Sequence, residues 1–69
     1  MKQLMNGAIV RLHSTSSDEL NGLVCRVVGY AGTGLYIVEF PRGFVSPSYH
    51  YDVITMVESC LEIVYSAAP

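Results

Sequence analysis

An all-β domain of five short strands and a single 3-10 turn is what the sequence predicts, on three observations. Residues 20–40 read as one β-hairpin, and both of its arms are rich in β-branched and aromatic residues, side chains suited to a pleated, partly buried surface. The apolar segments outside the hairpin alternate with a period of two, and no stretch sustains the 3.6-residue period of a helix. Two breaks, the polar run 14–19 and the Pro- and Gly-bearing run 41–48, divide the chain into strand-length pieces.

The first strand is expected at residues 8–13, after a lead-in over 1–6 and the break at Gly7. Alternation puts Ala8, Val10 and Leu12 on one face, and Val10 and Leu12 are expected core residues. His13 closes the strand as a partly exposed, structurally neutral histidine. The run Ser14-Thr15-Ser16-Ser17-Asp18-Glu19 competes with regular structure by bonding its own backbone and reads as a loop with at most one turn. It is either a solvated connection or a variable binding loop.

In the hairpin, residues 23–30 form the first arm, Ala31-Gly32-Thr33-Gly34 turns, and residues 35–40 return. A buried, unpaired guanidinium is very costly, so Arg26 marks the outer face. Cys25 and Val27 are then inside, with Val24, Val28 and Tyr30 at or near the surface. Glu39 places Leu35 and Ile37 outside in the same way, leaving Tyr36, Val38 and Phe40 inside. Val28, Leu35 and Ile37 are thus expected to form an exposed apolar group.

The prolines at 41 and 47 lack a ladder N–H, so residues 41–48 are expected as a loop tethered by Phe44 and Val45. Residues 49–57 are a long strand candidate with apolar groups on both faces, which leaves its inner face open. Residues 58–61 suit one 3-10 turn, residues 62–65 a last strand, and residues 66–69 a tail.

At 69 residues the chain has room for one domain with a small core. It is 51% hydrophobic and only 14% charged, against roughly 25% charged in an average soluble domain. A domain this small has much surface for its volume, so some apolar side chains are expected outside, and a partner, including another copy of the chain, is expected to meet them. The net charge of -2 comes with four scattered cations, Lys2, Arg11, Arg26 and Arg42, too few and too dispersed to favour a phosphate backbone. No apolar run approaches the roughly 18 residues of a membrane span, and nothing near Met1 reads as a secretion signal, so a cytoplasmic location is expected.

Cys25 and Cys60 lie far apart in sequence. A disulfide between them is conceivable, but two reduced, largely buried thiols fit the expected compartment better. With His13 and His50 they supply four possible zinc ligands, yet none has the short-spaced neighbour of a structural zinc site, and neither metal nor cofactor is expected.

Taken together, these elements describe a small SH3-like barrel, and several segments resemble that class in detail. Gly7-Ala8-Ile9-Val10-Arg11-Leu12 looks like its opening strand. Leu20-Asn21-Gly22 followed by Val27-Val28-Gly29-Tyr30 resembles the hairpin of KOW-like and Tudor-like barrels, and Ser59-Cys60-Leu61-Glu62-Ile63-Val64 is similar to their closing segment. The chain departs from many such relatives in having Cys25 where they have a second glycine.

The resemblance implies a fold more than a function, since these motifs report turns and barrel closure. Its members include nucleic-acid binders, methyl-lysine readers, peptide-binding adaptors and small accessory proteins of bacteria and their phages. The expected function is a non-enzymatic protein-interaction module, in one form a phage-encoded inhibitor or regulator of a host or defence complex. The candidate partner-binding residues are Val28, Tyr30, Leu35, Ile37, Phe44, Tyr49 and Tyr51, with a homodimer through the outer apolar face. The alternative is a KOW-like nucleic-acid binder using Arg11, Arg26 and Arg42 on phosphates. An enzyme is disfavoured, because the spacing of Ser, His and Asp specifies no triad.

Overall fold

A computed structural model describes residues 6–46, 48, 49 and 51–66. Residues 1–5, Pro47, His50 and residues 67–69 lie outside the described residues, and with them most of the expected lead-in and tail and the role of His50 as a ligand or strand residue. The elements follow as β1 Ile9–Leu12, β2 Val24–Gly32, β3 Leu35–Glu39, β4 Val53–Val57, a 3-10 turn Glu58–Cys60, and β5 Leu61–Tyr65. All strand pairs are antiparallel, in the spatial order β4-β3-β2-β1-β5.

That order forces the sheet to curl. Laid flat, β4 and β5 would be separated by four strand spacings, roughly 19 Å. In the chain they are joined by only the three residues Glu58–Cys60, which span roughly 6 Å as a 3-10 turn. Among the described residues no ladder joins β4 to β5, so the sheet is strongly curved but open.

The core lies on the concave side. Directly paired residues share a face, which sets Val10 beside Cys25, Val38 between Val27 and Ile54, and Tyr36 between Tyr30 and Met56. Val10, Leu12, Val27 and Val38 are fully buried, and Ala8, Leu20, Cys25, Tyr36, Phe40 and Met56 complete the cluster. The inner positions expected of the first strand and of both hairpin arms are therefore as the alternation indicates. The face of β4 that alternation left open is settled by register: Ile54 and Met56 point inward, opposite Val38 and Tyr36. On the convex side one row crosses all five strands, Tyr65, Ile9, Arg26, Glu39 and Val53.

Three expectations need correction. Tyr30 is at the surface as expected, 44% exposed, but it leaves the outer face of Arg26: β2 carries bulges at Val28 and Ala31, and the extra residue at Val28 reverses the alternation ahead of Tyr30. Tyr30 is thereby brought opposite Tyr36, with ring centroids 4.9 Å apart. The outer group Val28, Leu35 and Ile37 is half-buried rather than exposed. Gly29 pairs with Ile37, and a Cβ built there would lie 3.3 Å from Ile37 Cδ1, so the isoleucine packs down over the missing side chain. Finally, the fourth strand starts at Val53 and not at residue 49. Its partner β3 ends at Glu39, which pairs with Val53, and Pro41 beyond it has no N–H to continue a ladder.

The hairpin tip is tighter than expected, a two-residue link of Thr33 and Gly34. Both have positive φ, 53° and 78°, the condition of a type I′ turn matched to strand twist. The Gly34 amide donates to the Tyr30 hydroxyl at 3.1 Å, which ties the tip to the strand below.

Candidate functional site

The site is built by the connection between β3 and β4. Its base is closed where the Phe40 amide donates to the Asp52 carbonyl at 2.8 Å. Pro41-Arg42-Gly43-Phe44 is a β-turn, with the Phe44 amide donating to the Pro41 carbonyl at 3.1 Å and Gly43 at φ 87°. A positive φ at that third position is what a type II turn requires, and glycine meets it without a Cβ clash. The turn folds Phe44 back onto Phe40, with centroids 4.8 Å apart, and Tyr49 meets the same ring edge-on at 6.1 Å. These contacts hold the connection against the core. Its far side is strapped to the 13–23 loop, where the buried Ser46 hydroxyl donates to the Glu19 carboxylate and the Ser48 amide donates to Ser46 Oγ.

Between this loop and the convex face of the sheet lies a depression of about 380 Å³ whose walls include Arg26, Glu39, Arg42, Phe44, Tyr51 and Asp52. A second depression of about 330 Å³ shares Arg26, Glu39, Phe40, Pro41 and Arg42 with it and reaches Ile9 and Val24. The two form one furrow from the loop aromatics across the sheet end. Its floor carries the cross-strand ion pair of Arg26 and Glu39. Arg11 is likewise paired, with Glu62 at 3.0 Å, so among the described residues Arg42 is the arginine without a carboxylate partner. Tyr51, on the furrow wall, is 80% exposed, and Val45 on the same connection is 89% exposed.

The expected partner-binding residues fall into two groups. Phe44, Tyr49 and Tyr51 come together on the 40–52 connection, with Phe44 and Tyr49 half-buried in the ring cluster and Tyr51 free at the rim. Val28, Tyr30, Leu35 and Ile37 belong to the hairpin, away from the furrow, and Tyr30 is engaged by Tyr36 and Gly34. Val45, expected to tether the loop, is 89% exposed, because Phe44 beside it takes the inward position. Alternation does not apply in an irregular loop, so nothing in the spacing separated the two. Sequence reasoning named Arg42 only as a phosphate contact of the nucleic-acid alternative and not among the partner-binding residues. The signal available for it was the Pro41-Arg42-Gly43 turn, which lifts the middle residue into solvent.

Other chemistry-bearing groups do not converge. Cys25 and Cys60 are both free thiols, Cys25 buried and Cys60 half-buried. Burial pushes the Cys25 thiol up from 9.0 to about 11, away from the thiolate form. His13 is exposed, with Nδ1 3.0 Å from Ser14 Oγ. Among the described residues no three His, Cys, Asp or Glu side chains are grouped to hold a metal ion, and no helix is long and apolar enough to cross a membrane. Compared with protein-family models, curated proteins and solved structures, the chain matches none.

Proposed function

We propose that the chain is a non-enzymatic protein-interaction module, a small SH3-like barrel that grips a segment of another protein in the furrow beside the 40–52 connection. The observation that carries this reading is Tyr51, which lines the furrow yet stands 80% exposed on a connection that is itself fastened at its base, turn and far side. Anchoring lowers the entropy lost on binding, and tyrosine brings a large contact area with few rotatable bonds. The strand order, the middle hairpin and the 3-10 turn between the two edge strands support the barrel assignment.

The furrow's chemistry describes its ligand. Phe44, Tyr51 and Pro41 offer apolar contact, and Arg42, which shares the furrow wall with Asp52, offers a guanidinium that makes no ion pair among the described residues. A segment carrying a large apolar side chain next to a carboxylate satisfies both. Cys25, a thiol held protonated in the core, is a poor nucleophile. The nucleic-acid reading is weakened by the pairing of Arg11 and Arg26 with Glu62 and Glu39, which leaves few cations to release counterions from phosphates.

Affinity capture from the native host, followed by titration of the captured protein, tests the proposal. The expected result is one protein bound by the wild type and weakened at least about tenfold by Tyr51→Ala or Arg42→Glu. A partner that binds both variants as well as the wild type would refute the assignment of the furrow. Recovery of nucleic acid alone, with affinity falling steeply as salt is added, would establish the alternative instead.

A further inference from the structure

Of the two edge strands, β4 is the one left bare. The β5 edge is interrupted by a bulge at Val64, where the register with β1 shifts, and a bulge protects an edge from further pairing. β4 keeps one unbroken register with β3 from Val53 to Val57. It holds no proline and no charged residue, so none of the usual edge protections lies within it.

The direction of its backbone groups follows from two hydrogen bonds at the ends of the ladder. The Phe40 amide donates to the Asp52 carbonyl at 2.8 Å, and the Glu58 amide donates to the Gly34 carbonyl at 2.9 Å. Both bonds keep the register of the ladder, and along an antiparallel pair every second residue bonds to the neighbouring strand. Asp52, Ile54, Met56 and Glu58 therefore turn their peptide groups toward β3. Val53, Thr55 and Val57 turn theirs to the open side, where among the described residues they meet no partner. Val53 and Val57 are each 42% exposed, and Thr55 between them is exposed as well. Two carboxylates frame this edge, Asp52 before Val53 and Glu58 after Val57. Neither forms an ion pair among the described residues: Arg11 and Arg26 are taken by Glu62 and Glu39, and Arg42 shares the furrow wall with Asp52 without pairing with it.

We propose that the β4 edge takes an added strand from another protein, an extended segment of uncharged, β-branched residues with a lysine or arginine at each end. Charge selects that occupant over a second copy of the chain. The antiparallel self-pairing that engages Val53, Thr55 and Val57 of both copies is centred on Thr55, and it sets Asp52 opposite Glu58 at both ends. Like charges placed opposite one another destabilise a strand pair. Moving the axis to Ile54 sets Val57 opposite Tyr51 in the loop, and moving it to Met56 sets Val53 opposite Ser59 in the 3-10 turn, so neither register keeps strand against strand. A foreign strand that is basic at both ends meets a carboxylate at each and uses all the outward residues. Main-chain bonds then supply the affinity, and the flanking charges choose the partner. This surface goes beyond the furrow and shares only Asp52 with it.

Titration of the full chain with two synthetic peptides, followed by amide exchange, tests it. Both peptides alternate valine and threonine over the length of β4 and have blocked termini; one is flanked by lysines and the other by glutamates. A five-residue edge buries much less than the ~800 Å² per partner of a standard interface, so the lysine peptide should bind with a Kd between roughly 10 µM and 1 mM. At saturation it should slow exchange at Val53, Thr55 and Val57 at least about tenfold, and far less at Ile54 and Met56, which are already bonded to β3. The glutamate peptide should bind at least about tenfold more weakly, and a chain carrying both Asp52→Lys and Glu58→Lys should reverse that order. Thr55→Pro removes an outward N–H and no bond to β3, so it should keep its cooperative melting and lose the lysine peptide. Methylating alternate backbone nitrogens of the lysine peptide puts the same question without a variant that must fold: one alternate set should abolish binding and the other should leave it. No binding of the lysine peptide at roughly 1 mM, equal affinity for the two peptides, or slowed exchange at residues 42–44 in place of β4 would overturn the proposal. So would a dimer of the chain alone that Thr55→Pro dissociates, since the second copy would then be the occupant.

Discussion

Cys25 shows how one buried side chain links packing to pH. It faces Val10 across the β1–β2 ladder and is 2% exposed, and burial alone pushes its thiol from 9.0 to about 11. A pKa raised on folding means that the native state holds the proton more tightly than the unfolded state does. Its stabilising effect is complete below about pH 9 and declines as pH rises toward about 11. Unfolding free energy should therefore fall with pH in that window by at most about 1.4 kcal/mol per pH unit from this group. Cys25→Ala lowers stability at neutral pH by opening a cavity, but its pH profile between those limits should be flatter than the wild type's. Equal slopes in denaturant titrations of the two proteins would refute the assignment. Native-state thiol labelling provides a second reading, with Cys60 reacting first and Cys25 only on opening.

The hairpin tip is a place where the chain has not chosen its most stable option. Thr33 sits at φ 53°, a left-handed conformation that a β-branched residue adopts only under strain. It is retained with a hydroxyl donating to the Gly32 carbonyl at 2.7 Å. Thr33→Asn makes the Asn-Gly pair that a type I′ turn favours and should stabilise the domain by about 0.5–1 kcal/mol. For a domain of this size that corresponds to a melting temperature higher by roughly 3–8 °C. An unchanged or lower melting temperature would mean that the hydroxyl bond outweighs the backbone strain. The β2 bulge at Val28 acts on the same element in another way, re-aiming Tyr30 so that its hydroxyl can accept from Gly34.

Across the molecule, the Glu19–Ser46 bond joins segments 27 residues apart in sequence and couples the polar loop after β1 to the connection that builds the furrow. Glu19 is exposed and contributes nothing to the core, so Glu19→Ala should cost no more than about 1 kcal/mol of stability. Its effect should appear as faster amide exchange over residues 42–49 and weaker partner binding, because an unstrapped loop loses more entropy when it binds. Exchange rates equal to the wild type's in that segment would show that the ring cluster of Phe40, Phe44 and Tyr49 holds the loop without the strap. The open sheet and its bare β4 edge belong to this level as well, since neither is a property of any single strand.

Strand existence, strand order in the chain, the 3-10 turn and the inner residues of the first strand and both hairpin arms were legible in the amino acids, while the buried Leu20 was not. Each depends on short-range chemistry: side-chain alternation, glycine and proline at the breaks, and the cost of burying Arg26 or Glu39. What the residues could not disclose depends on pairing between distant segments. The bulge at Val28 that reverses Tyr30 arises from register with β3, and the late start of β4 arises because β3 stops at Glu39. Phe44 packing and Val45 exposure follow from a turn whose neighbours are remote in sequence, and the half-exposure of Ile63 follows from β5 standing last in the sheet. Local patterns say which way a side chain points relative to its own strand. Only the assembled sheet says whether anything lies on that side to cover it.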